Sequence, residues 1–385
     1  MAAAAVAATW FTRMKSPQAC LLRIVLLALL APGLAFATTP RTEPPLRFGP
    51  EFPVSPAMEA RVRFWIRIFT AVSQNEAVLH DRDDLRIVYD VVPYETDAAV
   101  ASARASYGRL LTSLTVAELF PRSLQDEIAA SAAPAPERRR LEALFTSIAT
   151  TRPDDYAHAI DNIRAQRGLK EIFADGLMRA ELYLPEIRRI FAAAHLPTDL
   201  VYLPHVESSF NPNAVSRAGA SGLWQLTKET VDGRLRVAAK ADQRFDPVLS
   251  SQVAAEYLAR AYDVLGSWPL AVAAYNHGVA GLARARAAVG TDCLDDIIRG
   301  YDGATFGFAS RNFYAEFLAA AHVARNAEYY FPGLKRTPVL QYVVRRGDSL
   351  WTIARKHRVS VHALVAANNL GRSPLQLGQR LMIRL

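Results

Sequence analysis

Pro197-Thr198-Asp199-Leu200-Val201-Tyr202-Leu203-Pro204-His205-Val206-Glu207-Ser208-Ser209-Phe210-Asn211-Pro212 is the stretch on which the reading of this 385-residue chain turns. Pro197 and Thr198 predict a helix start with Thr198 as N-cap, and Asn211-Pro212 predicts its end. Leu200, Leu203 and Glu207 fall at i, i+3 and i+7, so one carboxylate continues an apolar stripe, with Pro204 making the helix irregular. A glutamate so placed is partly desolvated. Desolvation disfavours its charged form and raises its pKa, which suits a general acid. The other reading is a structural carboxylate answering an arginine or a helix N-terminus, because structural ion pairs also perturb pKa values.

Two further motifs follow in order: Gly219-Ala220-Ser221-Gly222-Leu223-Trp224-Gln225, then Ala273-Ala274-Tyr275-Asn276-His277-Gly278. Gly219 and Gly222 permit backbone turns and close ligand approach, and Gln225 offers an amide donor and acceptor to a sugar. Trp224 is balanced between core packing and function, whereas Tyr275 leans toward function. Together the three motifs resemble the lysozyme-like domain of the soluble-lytic-transglycosylase family over about 170–330. That resemblance implies a mainly α fold with a lysozyme-like catalytic domain. It makes Glu207 the single acid/base and gives Ser208 the orienting of its carboxyl or of an N-acetyl group. Gln225, Tyr275 and Asn276 become substrate-binding residues. A late helix, Ser310-Arg311-Asn312-Phe313-Tyr314-Ala315-Glu316-Phe317-Leu318, departs from the family pattern. The family's tyrosine there aligns with Phe313, and Tyr314 is carried as a substrate-binding candidate although one step turns a helical side chain by roughly 100°.

Most glycosidases use two carboxylates, and the motif region supplies one; Glu229, Asp232, Asp242 and Asp246 follow outside any sugar-contact motif. The resemblance implies a route that needs only one. Glu207 protonates the oxygen between MurNAc and GlcNAc, then takes the proton of the MurNAc 6-hydroxyl, giving a 1,6-anhydro end. Two rivals stay open: a muramidase that hydrolyses the same bond, and a non-catalytic wall-binding protein. No cofactor and no metal are expected. His205-Val206-Glu207 lacks a Pro-Cys-x-x-Cys partner, and the chain holds neither His-Glu-x-x-His nor a phosphate-binding Gly-x-x-x-x-Gly-Lys loop.

Residues 340–385 carry a separate pattern of strand, helix, helix and strand. Tyr342-Val343-Val344 predicts the first strand, Gly347-Asp348 a turn and cap, and Leu381-Met382-Ile383 the closing strand. Ser360 can cap the second helix. A βααβ unit this small is marginal, so most of its apolar positions must be structural. The run Tyr342 to Ala354, with Asn368-Asn369-Leu370 and Leu377-Gly378-Gln379-Arg380-Leu381, resembles a LysM domain. The resemblance implies binding of N-acetylglucosamine-containing polymers by Gly347, Asp348, Ser349 and Leu350 on one loop and Asn368 and Leu370 near another. For Asp348 and Ser349, helix capping alone is an equal reading. Both modules then point to peptidoglycan strands as the partner, and a tethered binder raises local polymer concentration.

The rest of the chain frames these blocks. Apolar content of 51% with 21% charged residues excludes a disordered chain. The formal charge of +8, three of whose positive charges lie in residues 1–37, suits an anionic polymer, wall or nucleic acid, without choosing between them; the motifs favour the wall and no nucleic acid. Arg13, Lys15 and Arg23 with the apolar run Ile24–Leu30 and Ala35-Phe36-Ala37 predict a cleaved export signal over 1–37, hence a periplasmic or cell-envelope location. Translation from Met14 is an alternative start. Cys20 would leave with the signal, so Cys293 remains alone, expected as a buried thiol without a disulfide. Residues 38–56 read as a Pro-rich lead-in and 57–180 as a helical support with a helix at Arg61–Ser73. A short strand is expected around Ile87–Val92, a break at Ser131–Pro136, and an amphipathic segment Leu169–Ala194 interrupted by Pro185. The catalytic block is placed at 181–330 and a linker at 331–339.

Overall fold

The computed structural model describes residues 42–118, 135–148, 155–231, 233–238, 241–334, 339–368, 370 and 375–384. The export signal, most of the expected break at Ser131–Pro136, and Lys335 to Pro338 of the linker lie outside them. The first helix, α1 (Pro56–Thr70), starts where Ser55 accepts a hydrogen bond from the Met58 N–H and Pro56 fills the first turn. Val62, Trp65, Ile66 and Phe69 form its buried face, as their spacing predicts.

The chain then forms β1 (Glu76–Asp81), β2 (Val88–Pro93), α2 (Asp97–Glu118), α3 (Ala135–Ile148), α4 (Asp155–Asn162) and β3 (Ile163–Arg167). β1 is the middle strand of an antiparallel sheet in the order β2-β1-β3, with Ala77 opposite both Val92 and Arg167. The support region is therefore mixed rather than purely helical; only β2 is foreseeable from an apolar run. β1 alternates between two cores. Val78 joins the main apolar cluster, whereas Ala77 and Leu79 face a second one with Leu111, Leu114 and Ile163.

α5 (Lys170–Ala193) runs straight through Pro185, which was expected to interrupt it. Proline removes one backbone bond, but the buried Leu182, Tyr183, Leu184 and Ile187 around it hold both flanking turns in the core. A 3-10 turn (Thr198–Tyr202) and α6 (Leu203–Glu207) follow. Thr198 makes no side-chain cap bond, and Pro204 opens a new helix instead of distorting an old one. After a two-residue hairpin, β4 (Val237–Ala238) with β5 (Ala241–Asp242), come α7 (Pro247–Leu265), α8 (Trp268–His277), α9 (Val279–Val289), α10 (Leu294–Gly300) and α11 (Phe308–Arg325). α11 is the pillar: it packs along α1 and against α6 and α8, and Phe317 through Ala321 are fully buried.

The last unit is β6 (Val339–Val343), α12 (Leu350–Lys356), α13 (Val361–Asn368) and β7 (Arg380–Arg384), the strands pairing antiparallel. Tyr342, Ile353, Leu364, Leu381 and Ile383 give it its own core. The architecture is thus mainly α with this small βααβ unit. Cys293 is free but exposed, against the expectation of a buried thiol, because it precedes α10 in a surface loop.

Candidate active site

Glu207 is the last residue of α6, a five-residue helix too short to hold itself. Its surroundings hold it. Leu203, Pro204 and His205 are buried, and beyond Glu207 the chain turns through two left-handed residues, Ser209 (φ 50°) and Phe210 (φ 56°). Such conformations are costly for side-chain-bearing residues and persist only where packing over-determines them. Phe210 is fully buried, and Arg179 Nε of α5 donates to the Ser209 carbonyl at 2.9 Å.

Ser208 Oγ donates to the Leu223 carbonyl at 2.8 Å, so it ties the glutamate's helix to the Gly-Leu-Trp-Gln loop rather than reaching Glu207's carboxyl. Gly222, at φ +80°, is obligatory: a Cβ there would lie 2.0 Å from the Arg244 carbonyl. Arg244, buried and paired with Asp242 at 2.6 Å, donates to the carbonyls of Gly219 and Leu226. Gln225 uses its amide hydrogens on Ala214 and Gly222 (3.2 and 2.9 Å), which leaves the loop, not a free amide donor, as its product. Trp224 resolves as core: it is fully buried, stacked on Phe191 at 5.2 Å, with Nε1 donating to Ser251.

Tyr275 of α8 is brought to the glutamate. Its hydroxyl donates to the Trp224 carbonyl at 2.8 Å, and burial and the neighbouring Glu207 push it well above a phenol's ordinary pKa. It therefore stays a neutral donor. Asn276 is exposed at the end of α8, its Oδ1 fixed by Ser310 Oγ at 2.9 Å. Phe313 stacks parallel to Tyr275 (6.3 Å, 6°), so the late helix faces the site with a ring and no hydroxyl. Tyr314 is not part of the site. It is buried one step round the helix, and its hydroxyl donates to the Pro53 carbonyl at 3.1 Å.

The electrostatics match the expectation for Glu207. Burial, reinforced by a second carboxylate, pushes it up to about 8. That second carboxylate is Glu316 of α11, also raised to about 8 by burial while Arg164 of β3 works in the opposite direction. Both line a cavity of about 140 Å³ with His205, Phe69, Leu169, Phe173 and neighbouring residues. His205 is buried with neither ring nitrogen bonded, and burial lowers it to about 3, so it is neutral. Sequence reading passed over Glu316. Its signal was a charged residue set between Phe313-Tyr314-Ala315 and the apolar run Phe317 to Ala321, which the linear order cannot aim at Glu207.

In the terminal unit, the candidate glycan contacts have structural duties. Gly347 takes φ 89° in the turn. The Asp348 carboxylate accepts from the Tyr342 hydroxyl (2.8 Å) and the Arg345 N–H (2.7 Å), and both bonds hold it below the usual range. Ser349 caps α12 in a reciprocal box with Thr352. Leu350 and Leu370 pack on the module's core. Asn368 Nδ2 donates to the Leu364 and Met382 carbonyls, and its Oδ1 accepts from the Met382 N–H. Among the described residues no group of three or more His, Cys, Asp or Glu could hold a metal.

A short-helix glutamate, a braced Gly-Leu-Trp-Gln loop and a half-buried tyrosine lie together in the central domain, where residues 190–297 match the Transglycosylase SLT domain; residues 342–384 match the LysM domain. The chain is similar to membrane-bound lytic murein transglycosylase D of Escherichia coli (strain K12), 38% identical over 126 residues, 31% of this chain and 27% of that protein. The protein of the same name from E. coli O6:H1 matches equally. A putative tributyltin chloride resistance protein of Alteromonas sp. (strain M-1) is 38% identical over 111 residues, 28% of this chain and 53% of its own length. The similarity thus spans about a quarter of the E. coli relatives and about half of the Alteromonas one.

Proposed function

We propose that this protein is a peptidoglycan lytic transglycosylase that cleaves the β-1,4 bond between MurNAc and GlcNAc and leaves 1,6-anhydroMurNAc ends. The observation that carries the reading is Glu207 itself: a carboxyl raised to about 8 by desolvation, at the end of a helix tied down through Ser208 and Ser209. A protonated Glu207 donates to the glycosidic oxygen as the bond to C1 breaks. The substrate's acetamido group supports the cationic carbon, and the Glu207 carboxylate then accepts the 6-hydroxyl proton as that oxygen closes on C1. Each proton taken is returned, so no external base is required. Tyr275, Asn276 and the backbone of the Gly-Leu-Trp-Gln loop present the polar edge of the site, and the LysM domain keeps polymer near it. Substrate of this kind places the protein outside the cytoplasm, in keeping with the export signal read at 1–37; no helix among the described residues is long and apolar enough to cross a membrane.

Glu316 favours one alternative, hydrolysis by two carboxylates. Mass analysis of fragments released from purified sacculi decides between them. Anhydro ends, lighter by one water, support the proposal. Exclusively reducing ends would sink it, and no release by wild type would leave a wall-binding protein.

A further inference from the structure

We propose that the cavity between α1, the β1–β2 loop and α10 binds the zwitterionic end of an α-amino acid, with its carboxylate on Arg61 and its ammonium group on Asp295. The cavity measures about 580 Å³ and lies where the support region meets the catalytic block. Its size is within the roughly 300–1,000 Å³ of pockets that take small ligands, and domain junctions are a common place for them. It shares no lining residue with the cavity at Glu207. Leu85, Ile87, Phe145 and Ile298 supply apolar walls.

Most of the charge on those walls is already committed. Arg86 Nε donates to Asp84 at 2.9 Å, and Arg299 pairs with Asp296. The Asp83 carboxylate accepts from Asn162 at 3.1 Å, and that of Asp81 accepts from the Asp83 and Asp84 N–H groups at 2.8 Å. Two opposite charges are left over. Arg61 Nη1 donates to Asn312 Oδ1 at 2.9 Å and Nη2 to the Asp83 carbonyl at 3.0 Å. Both acceptors are neutral, so the guanidinium, half-buried and partly stripped of water, enters no ion pair among the described residues. Two of its five N–H groups are used, and three remain for a ligand. Asp295, in the first turn of α10, makes no hydrogen bond or ion pair with its side chain among the described residues. It acts on Arg61 electrostatically without touching it, because Arg61 is held by α11 and the β1–β2 loop while Asp295 is fixed on α10.

Charges kept from water without a partner are costly. An anion alone would leave Asp295 unanswered, and a cation alone would leave Arg61 so. An α-amino acid carries both groups on one carbon and answers both, its carboxylate matching the planar guanidinium fork. The site also bears on the catalytic helix. Asn312, which Arg61 holds, precedes Phe313, the ring stacked on Tyr275. Assigning the ligand to the peptide arms of wall strands rests on the lytic reading; the site itself does not.

Calorimetric titration of the full-length protein tests the site without turnover. Diaminopimelic acid, an α-amino-acid zwitterion at each end, should bind. Pimelic acid, with carboxylates alone, and cadaverine, with ammonium groups alone, should bind at least about tenfold more weakly. Asp295→Asn should weaken diaminopimelate by about tenfold or more, and Arg61→Lys, which keeps the charge but loses the fork, should also weaken it. Equal binding of the three probes, or diaminopimelate binding that ignores both substitutions, overturns the proposal. Wall strands with intact peptides, and the same strands stripped by an amidase, identify the source when titrated into Glu207→Gln protein. The preference for intact over stripped strands should fall by about tenfold on adding Asp295→Asn. If that preference ignores Asp295 while diaminopimelate binds as expected, the site stands and its ligand is a free amino acid. If neither probe responds to Asp295, the site falls. Fragment masses judge the lytic reading separately, so its failure would leave both titrations valid.

Discussion

The cavity at Glu207 and the LysM module treat their polar side chains in opposite ways. Around Glu207 the fold half-buries two carboxyls, both raised by desolvation, and buries an imidazole whose ring nitrogens have no hydrogen-bond partner among the described residues. In the module, Asp348, Ser349 and Asn368 all have their side-chain atoms committed to turns, caps and strand edges. Size explains the difference. A core that runs from α1 to α11 tolerates a few unsatisfied groups at the cost of some stability. A βααβ unit with seven buried core residues among those described has no such reserve, and its hydrogen bonds decide whether it folds.

The contrast breaks first at Glu207. Glu207→Gln should lower lytic activity by about a hundred- to ten-thousand-fold while leaving the fold intact and the LysM domain still binding sacculi, measured by fragment release and pelleting. Comparable activity in the variant would move catalysis elsewhere. Next in size, Asn368→Ala removes three hydrogen bonds and should cost the module about 2–3 kcal/mol. Glycan binding should then fall in step with the module's thermal transition. Binding lost without unfolding would make Asn368 a ligand contact after all.

Titration sharpens the comparison because the two units respond with opposite sign. Glu207 is raised from its ordinary 4.5 to about 8, so its contribution to stability is whole below 4.5 and disappears as pH rises through 8. Asp348 is lowered from 3.8, so its contribution is present above 3.8 and is lost as pH falls through its folded value. Calorimetry should show the catalytic transition weakening toward alkaline pH and the module's weakening in acid, with Glu207→Gln flattening the first slope. The smallest expected effect is at Tyr314. Tyr314→Phe breaks one bond to Pro53, should cost about 1 kcal/mol of stability, and should leave kcat/KM unchanged; a tenfold activity loss would return it to the site.

Much of this was legible in the linear order. The apolar face of α1 and the βααβ pattern follow from periodicity, a local property, and the apolar stripe carrying Glu207 pointed toward a raised pKa. Sequence alone missed β1 and β3, since strands that pair across some eighty residues are selected by each other and carry weak local signals. It also set Pro185 as a break, where core contacts on both sides of the proline overrule propensity.

At the site itself, the chain by itself put Glu207 forward, on an apolar stripe and in the first of three ordered motifs, and marked the glycine turns, because these features are written within a few neighbours. Only the tertiary structure decided how those side chains are employed. It drew Ser208 and Gln225 into bracing the loop, sent Tyr314 to Pro53, and set Glu316 against Glu207 from a helix a hundred residues away. The physical reason is that a carboxyl's proton depends on the charges and solvent around it, and those come from whichever elements pack there, irrespective of their distance along the chain.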